Sequence, residues 1–214
     1  LQEITRLYEP EGLIDVYQIW NEPDYQGSPR AQILMNSKNF GYLLSKSVDA
    51  IKAIDSDAIV ITGGHTSGPG KGPDLMREAL AEIRRMKGAE PDGVAFHPYG
   101  RGLNQDRPFS HFGAISESIT RYAGVLPGKP VWMTEWGVLS PNHQPWFTLG
   151  NDVPSPDAIY EYAQEFMNEV QGKFADDVVS AVWYGWAIGM DDGYGIVNER
   201  QEPLEPFYSG FKKL

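Results

Sequence analysis

With 214 residues, 41% of them hydrophobic, the chain is long enough for one sizeable core, and no shift in composition argues for a second domain. Its 18 Lys and Arg against 29 Asp and Glu leave a net charge of −11, spread along the sequence, which repels phosphate backbones and argues against nucleic acid as a partner. No apolar run approaches the roughly 20 residues that span a bilayer, residues 1–20 lack a basic start followed by an apolar stretch, and the absence of cysteine excludes disulfides and thiolate metal sites. No membrane partner is expected, and secreted and cytoplasmic settings both stay open.

The first strand is expected at 14–20 (IDVYQIW), followed by a helix at 37–54 in which Phe40, Leu43, Leu44, Val48, Ile51 and Ile54 form one apolar stripe. A strand at 58–62, a helix at 73–87, a strand at 93–97 and a helix at 112–124 follow. The last elements are a strand at 130–134, a helix at 156–173 and a strand at 179–187. Ser, Asp or Pro opens several of the helices. Near-continuously apolar strands alternating with helices predict a parallel sheet covered by helices. Between the fourth strand and the last long helix, residues 139–156 are too long and too rich in Pro, Asn and Gly for a routine connector. Its Trp146, Phe147 and His143 are candidate subsite residues, against the plainer reading of a surface loop.

Each strand ends in polar or aromatic residues that are out of place in a core. The string Ile19-Trp20-Asn21-Glu22-Pro23-Asp24 resembles the fourth-strand motif of the glycoside hydrolase clan A barrels, in which the Glu is the general acid/base. Val131-Trp132-Met133-Thr134-Glu135-Trp136-Gly137 resembles the seventh-strand motif that carries the nucleophile. Phe96-His97-Pro98-Tyr99-Gly100 resembles the sixth-strand end, whose aromatic hydroxyl commonly contacts the nucleophile, and Trp183-Tyr184-Gly185-Trp186 resembles the eighth-strand end with its sugar-platform Trp. The chain is most similar to the family five and family thirty-nine group. The resemblance implies a (β/α)8 TIM-barrel type of α/β fold, here partial, with about five βα units matching strands four to eight. It also implies a retaining O-glycosyl hydrolase that cleaves a β-linked oligo- or polysaccharide by double displacement, without a cofactor. The alternative is a non-catalytic glycan-binding or assembly remnant of such a barrel.

The pairing of Glu22 with Glu135 makes chemical sense. On an eight-stranded barrel of about 7 Å radius, three strands' separation is a chord of roughly 13 Å, which leaves roughly 5 Å between two inward-reaching carboxylates. A separation of about 5–5.5 Å suits a retaining enzyme and is too short for an inverting water. Tyr99 or His97 is expected to donate to Glu135, and Asn21 to hold the sugar 2-hydroxyl.

Other candidates for substrate contact are His65, at the end of the 58–62 strand, Trp136 and Trp186. Trp186 is preferred to Trp183 because alternation turns only one of two neighbouring faces toward the lumen. Trp20 and Trp132 are expected to be core, and Arg101, Asn104 and Arg107 either reach substrate hydroxyls or are solvated. No His-x-x-x-His or Asp-rich loop occurs, and no metal is expected. The end strands VYQIW and VSAVWYGWA contain no Lys, Arg or Pro. Unguarded edges of this kind invite pairing, so either a homo-oligomer forms through them or residues 1–12 and 198–214 fold across them.

Overall fold

The computed structural model describes every residue except 26, 28–30, 139–154 and 188–194. The chain folds as two compact units, Leu1–His97 with Thr120–Met133, and Pro98–Ile119 with Thr134–Leu214.

The first unit is built on parallel strands. β1 (Val16–Gln18) pairs with β2 (Ile59–Ile61), Val16 opposite Ile59. β3 (Val94–Phe96) pairs with the first half of β4 (Val131–Trp136), Val94 opposite Val131 and Phe96 opposite Met133. Isolated parallel bridges from Ile61 to Gly93 and from His65 to Phe96 carry the ladder from β2 to β3. All three residues of β3 are buried, as expected of a parallel strand covered on both faces. Each large apolar side chain so enclosed contributes about 1.5–3 kcal/mol relative to exposure.

The helices of this unit are α1 (Gln2–Tyr8), with a 3₁₀ turn at Glu9–Glu11 behind it, α2 (Ala31–Leu34), α3 (Ser37–Lys52) and α4 (Gly68–Arg85). α3 opens on Asn36, whose side chain accepts the Lys38 amide, and it buries Phe40, Leu44, Val48 and Ile51. Leu43 and Ile54, from the same expected stripe, are half-buried. α3 packs on α4 at Gly41, where a Cβ would stand 2.6 Å from the Ala79 carbonyl oxygen. α4 begins five residues before the expected 73, through a Gly- and Pro-rich stretch that local propensity disfavours. The loop before it is held by Asp24, 42 residues away in sequence, which accepts the Thr66 amide. Tyr122, on α5 (Ile115–Ala123), stacks on Phe96 at 4.4 Å.

In the second unit the far half of β4 runs beside β5 (Val178–Trp183), and the Tyr184 amide donates to the Trp136 carbonyl. α6 (Pro156–Lys173) opens on Ser155, whose hydroxyl accepts the Ala158 amide. This helix buries Ile159, Tyr162, Ala163, Phe166 and Val170, the three- and four-residue spacing of a one-sided helix. The core is aromatic: Trp136 stacks on Phe166 at 4.1 Å and meets Trp183 edge-on at 4.9 Å. α7 (Phe207–Phe211) adds Phe207 and Phe211 against Trp183. Residues near the C-terminus therefore pack on the end of β5, while Val179 and Val182 further back on that strand remain about half exposed.

Among the described residues the strands form a two-stranded and a three-stranded sheet and do not close into a barrel. The mixed α/β class, the parallel pairing and all five expected strands are present. No helix among the described residues is long and apolar enough to cross a membrane.

Candidate active site

Glu22 belongs to the first unit and sits on a tight turn just past β1. The Ile19 amide donates to the Ile61 carbonyl, Asn21 bridges Gly64, and the Glu22 amide donates to the Gly64 carbonyl at 3.0 Å. The chain reaches this position through left-handed backbone at Trp20 (φ 72) and again at Glu22 (φ 45). Non-glycine residues in that region cost on the order of 1–3 kcal/mol each and persist where the surroundings over-determine them. Close packing supplies that constraint: a Cβ at Gly63 would lie 2.8 Å from the Ile19 carbonyl oxygen, and one at Gly64 would run into the His97 imidazole. Asn21 is exposed.

His97 follows β3, and its amide donates to the His65 carbonyl at 2.8 Å. Its ring is fully covered, and Nδ1 lies 3.0 Å from Glu22 Oε1. An ionised carboxylate offers only acceptors, so with Glu22 ionised the proton of this bond belongs to Nδ1; with Glu22 protonated the same pair can bond in the opposite sense. The partner of Nδ1 is thus Glu22; of the two donors to Glu135 left open by the sequence, Tyr99 or His97, it is Tyr99 that is seen to donate. His97 braces the Glu22 carboxylate from a buried position.

Glu135 belongs to the second unit and lies near the end of β4. Tyr99 donates its hydroxyl to Glu135 Oε2 at 2.9 Å, as expected, and the Tyr99 ring meets Tyr184, just past β5, edge-on at 6.1 Å. Trp186 is 48% exposed, its Nε1 donates to Gln201 Oε1 at 2.7 Å, and its ring lies edge-on to Tyr208. Gln201 is itself left-handed (φ 65), on a loop in which Asn198 Oδ1 accepts the amides of Arg200 and Glu202. Trp183 is buried.

Four expectations are corrected. Trp136 is 1% exposed and belongs to the aromatic core: strand alternation places it on the face opposite Glu135, toward Phe166 on α6. His65 is 2% exposed, with Nδ1 2.9 Å from the Gly63 carbonyl and its ring edge-on to Phe40 of α3, so it packs between β2 and α3 and not at a ligand. Trp20, expected in the core, is 44% exposed because the left-handed turn swings it outward. Arg101, expected either to reach substrate or to be solvated, is largely buried, with its carbonyl accepting the Tyr162 hydroxyl, whereas Arg107 is exposed and ion-paired with Glu165, in line with the solvated alternative. Trp146, with His143 and Phe147, lies outside the described residues. Asp24, Tyr184 and Gln201 were not singled out from sequence, since only their contacts across the fold mark them.

The buried His65 also carries a pH signature. Burial pushes its imidazole below the ordinary 6.5, against the opposing pull of Asp24 and of the Gly63 carbonyl, with a small further lowering from His97. The unfolded chain therefore binds a proton near pH 6.5 that the folded chain refuses until lower pH, and stability falls as pH drops through that window. Urea midpoints measured between pH 8 and 5 are expected to decline below about 6.5 in the parent, and less steeply in His65→Gln. Equal slopes in the two would remove His65 as the cause.

No protein-family model matches the chain, and no curated protein does. Solved structures do. A monomeric beta-xylosidase from Caulobacter crescentus CB15 superposes with a TM-score of 0.66 at 18% identity, covering 99% of this chain and 44% of its own. A GH2 beta-galacturonidase from Eisenbergiella tayi gives 0.63 at 14%, covering 99% and 35%. A GH128 (subgroup II) endo-beta-1,3-glucanase from Sorangium cellulosum gives 0.60 at 13%, covering 95% and 82%. The fold is one that glycoside hydrolases use. The chain spans less than half the length of the beta-xylosidase and the beta-galacturonidase.

Proposed function

We propose that this chain carries the catalytic carboxylates of a retaining β-glycoside hydrolase of the clan A type, its fold a partial TIM barrel, with Glu135 as nucleophile and Glu22 as general acid/base. The observation that carries the proposal is that the two glutamates, each near the end of a strand, are given chemically different partners. A phenol O–H is donated to Glu135, an arrangement that an ionised nucleophile can accept. An imidazole lies against Glu22, and it can donate to a carboxylate or accept from a carboxylic acid, which suits a group that alternates between the two.

In the first step a Glu135 oxygen attacks the anomeric carbon, and the bond to the leaving oxygen breaks as that oxygen takes the proton from Glu22. Water then attacks the same carbon, gives its proton to Glu22, and displaces the Glu135 carboxylate. Asn21 holds the sugar 2-hydroxyl, a contact that strengthens in the oxocarbenium-like transition state. The substrate is a β-linked oligo- or polysaccharide. The activities named for the three neighbours, on xylosides, galacturonides and β-1,3-glucan, define the first panel of aryl glycosides to assay. Turnover with retained anomeric configuration, followed by proton NMR, tests the proposal; an α-configured first product refutes it.

Trp186 is the proposed sugar platform. Trp186→Ala is expected to weaken oligosaccharide binding by roughly ten- to a hundredfold, the worth of one stacked ring, with an unchanged thermal midpoint. Trp136→Ala, a core truncation, should instead cost about 3–5 kcal/mol of stability. Calorimetric titration beside thermal melts separates the two, and a Trp186→Ala protein that melts early but binds normally would move Trp186 into the structural class.

A further inference from the structure

The turn that presents Glu22 is fastened at its far end by a second carboxylate. Asp24 is 2% exposed; its Oδ1 accepts the Thr66 amide at 3.0 Å and its Oδ2 the Ser67 amide at 2.8 Å, while its carbonyl accepts the Ser67 hydroxyl at 3.4 Å. Nearer the start of the turn, the Glu22 amide is held by the Gly64 carbonyl, and the Glu22 carbonyl accepts the Tyr25 amide at 3.1 Å. Residues 22–24 are thus stitched to residues 64–67 at both ends.

A plain helix-capping role does not account for Asp24. The unsatisfied amides of a helix are those of its first residues, which in α4 begin at Gly68. Both amides that Asp24 receives lie before that point, in the loop. Its bonds therefore fix the loop against the turn that holds the two left-handed non-glycine residues, Trp20 and Glu22, adding a polar tie to the close packing at Gly63 and Gly64.

We infer that Asp24 is a positioning residue: by tying the Glu22 turn to the Thr66–Ser67 loop it keeps the Glu22 carboxylate against His97, in the orientation from which it delivers its proton. The inference rests on the reading of Glu22 as acid/base for its kinetic consequence, but not for its structural one. A misplaced acid harms the reaction in proportion to how much the leaving group needs a proton. A loosened fold harms all substrates alike.

The full chain with Asp24→Ala and Asp24→Asn, beside the parent and Glu22→Gln, supplies two readouts. The first is kcat/KM for phenyl and dinitrophenyl β-glycosides of the sugar the parent prefers. Asp24→Ala is expected to lose about a hundredfold on the phenyl substrate, within the range of general-acid effects, and only a few-fold on the dinitrophenyl one, with KM unchanged. Equal losses on both would overturn the inference. The second is the ¹⁵N resonance of His97 Nδ1, which should move in Asp24→Ala toward its position in Glu22→Gln; an unmoved resonance would also overturn it. Should Asp24→Ala not fold, Asp24→Asn keeps one acceptor oxygen and is expected to show both effects at smaller size. If the parent turns over none of the glycosides, the hydrolase reading falls, and the His97 resonance by itself decides whether Asp24 positions Glu22.

Discussion

Glu135→Gln is expected to lower turnover of an aryl β-glycoside by roughly four orders of magnitude or more, the scale on which removal of a covalent nucleophile acts. The substitution is nearly isosteric. The amide oxygen can still accept the Tyr99 hydroxyl that Glu135 Oε2 receives at 2.9 Å, so the strand and its aromatic surroundings should persist, with an unchanged melting midpoint. What is lost is chemical: a neutral amide is a poor nucleophile and forms no glycosyl ester. Activity within about tenfold of the parent, after contaminating hydrolases are excluded by purification from a null host, would take the nucleophile role away from Glu135.

Glu22→Ala should lose about 10²–10⁴-fold on substrates whose leaving group needs protonation, the usual range for a positioned acid, and far less on dinitrophenyl glycosides. Once the ester on Glu135 has formed, the alanine variant lacks a base for water, so the intermediate accumulates. An anion that needs no deprotonation, such as azide, should relieve this block and yield a β-glycosyl azide. Absence of rescue together with a uniform loss on all leaving groups would make Glu22 structural. His97→Ala should resemble Glu22→Ala in kind but be milder, since it removes the brace 3.0 Å from Oε1 and leaves the carboxylate in place.

The strands and long helices were legible because their signals are local. β3 is apolar on both faces, α3 keeps one stripe through Phe40, Leu44, Val48 and Ile51, and α6 opens on Ser155-Pro156. The ends were harder. The Gly- and Pro-rich start of α4 is coupled to a loop fastened by Asp24, 42 residues away from its first bonded amide, and α7 is held by Trp183 and not by its own propensity. Within the candidate site, Glu22, Glu135 and Tyr99 were picked out because the strand-end strings that hold them resemble clan A motifs. His65 and Trp136 were misjudged for one reason: standing beside an active-site motif says nothing about which face a side chain takes. Alternation along β4 already placed Trp136 opposite Glu135. No local pattern could show that Trp20 and Glu22 adopt left-handed backbone, because that depends on close packing at Gly63 and Gly64.

The most direct test of the central claim is covalent trapping. A 2-deoxy-2-fluoro β-glycoside with a dinitrophenyl leaving group slows the second step more than the first, so the ester on the nucleophile survives digestion and can be located by mass spectrometry. The parent chain is expected to gain one fluoroglycosyl mass, carried by Glu135 within the Val131–Trp136 strand, and Glu135→Gln to gain none. Labelling that persists in Glu135→Gln, or maps to another residue, would contradict the assignment. A parent chain that binds the sugars but is neither labelled nor active would mark it as a glycan-binding protein on a hydrolase fold.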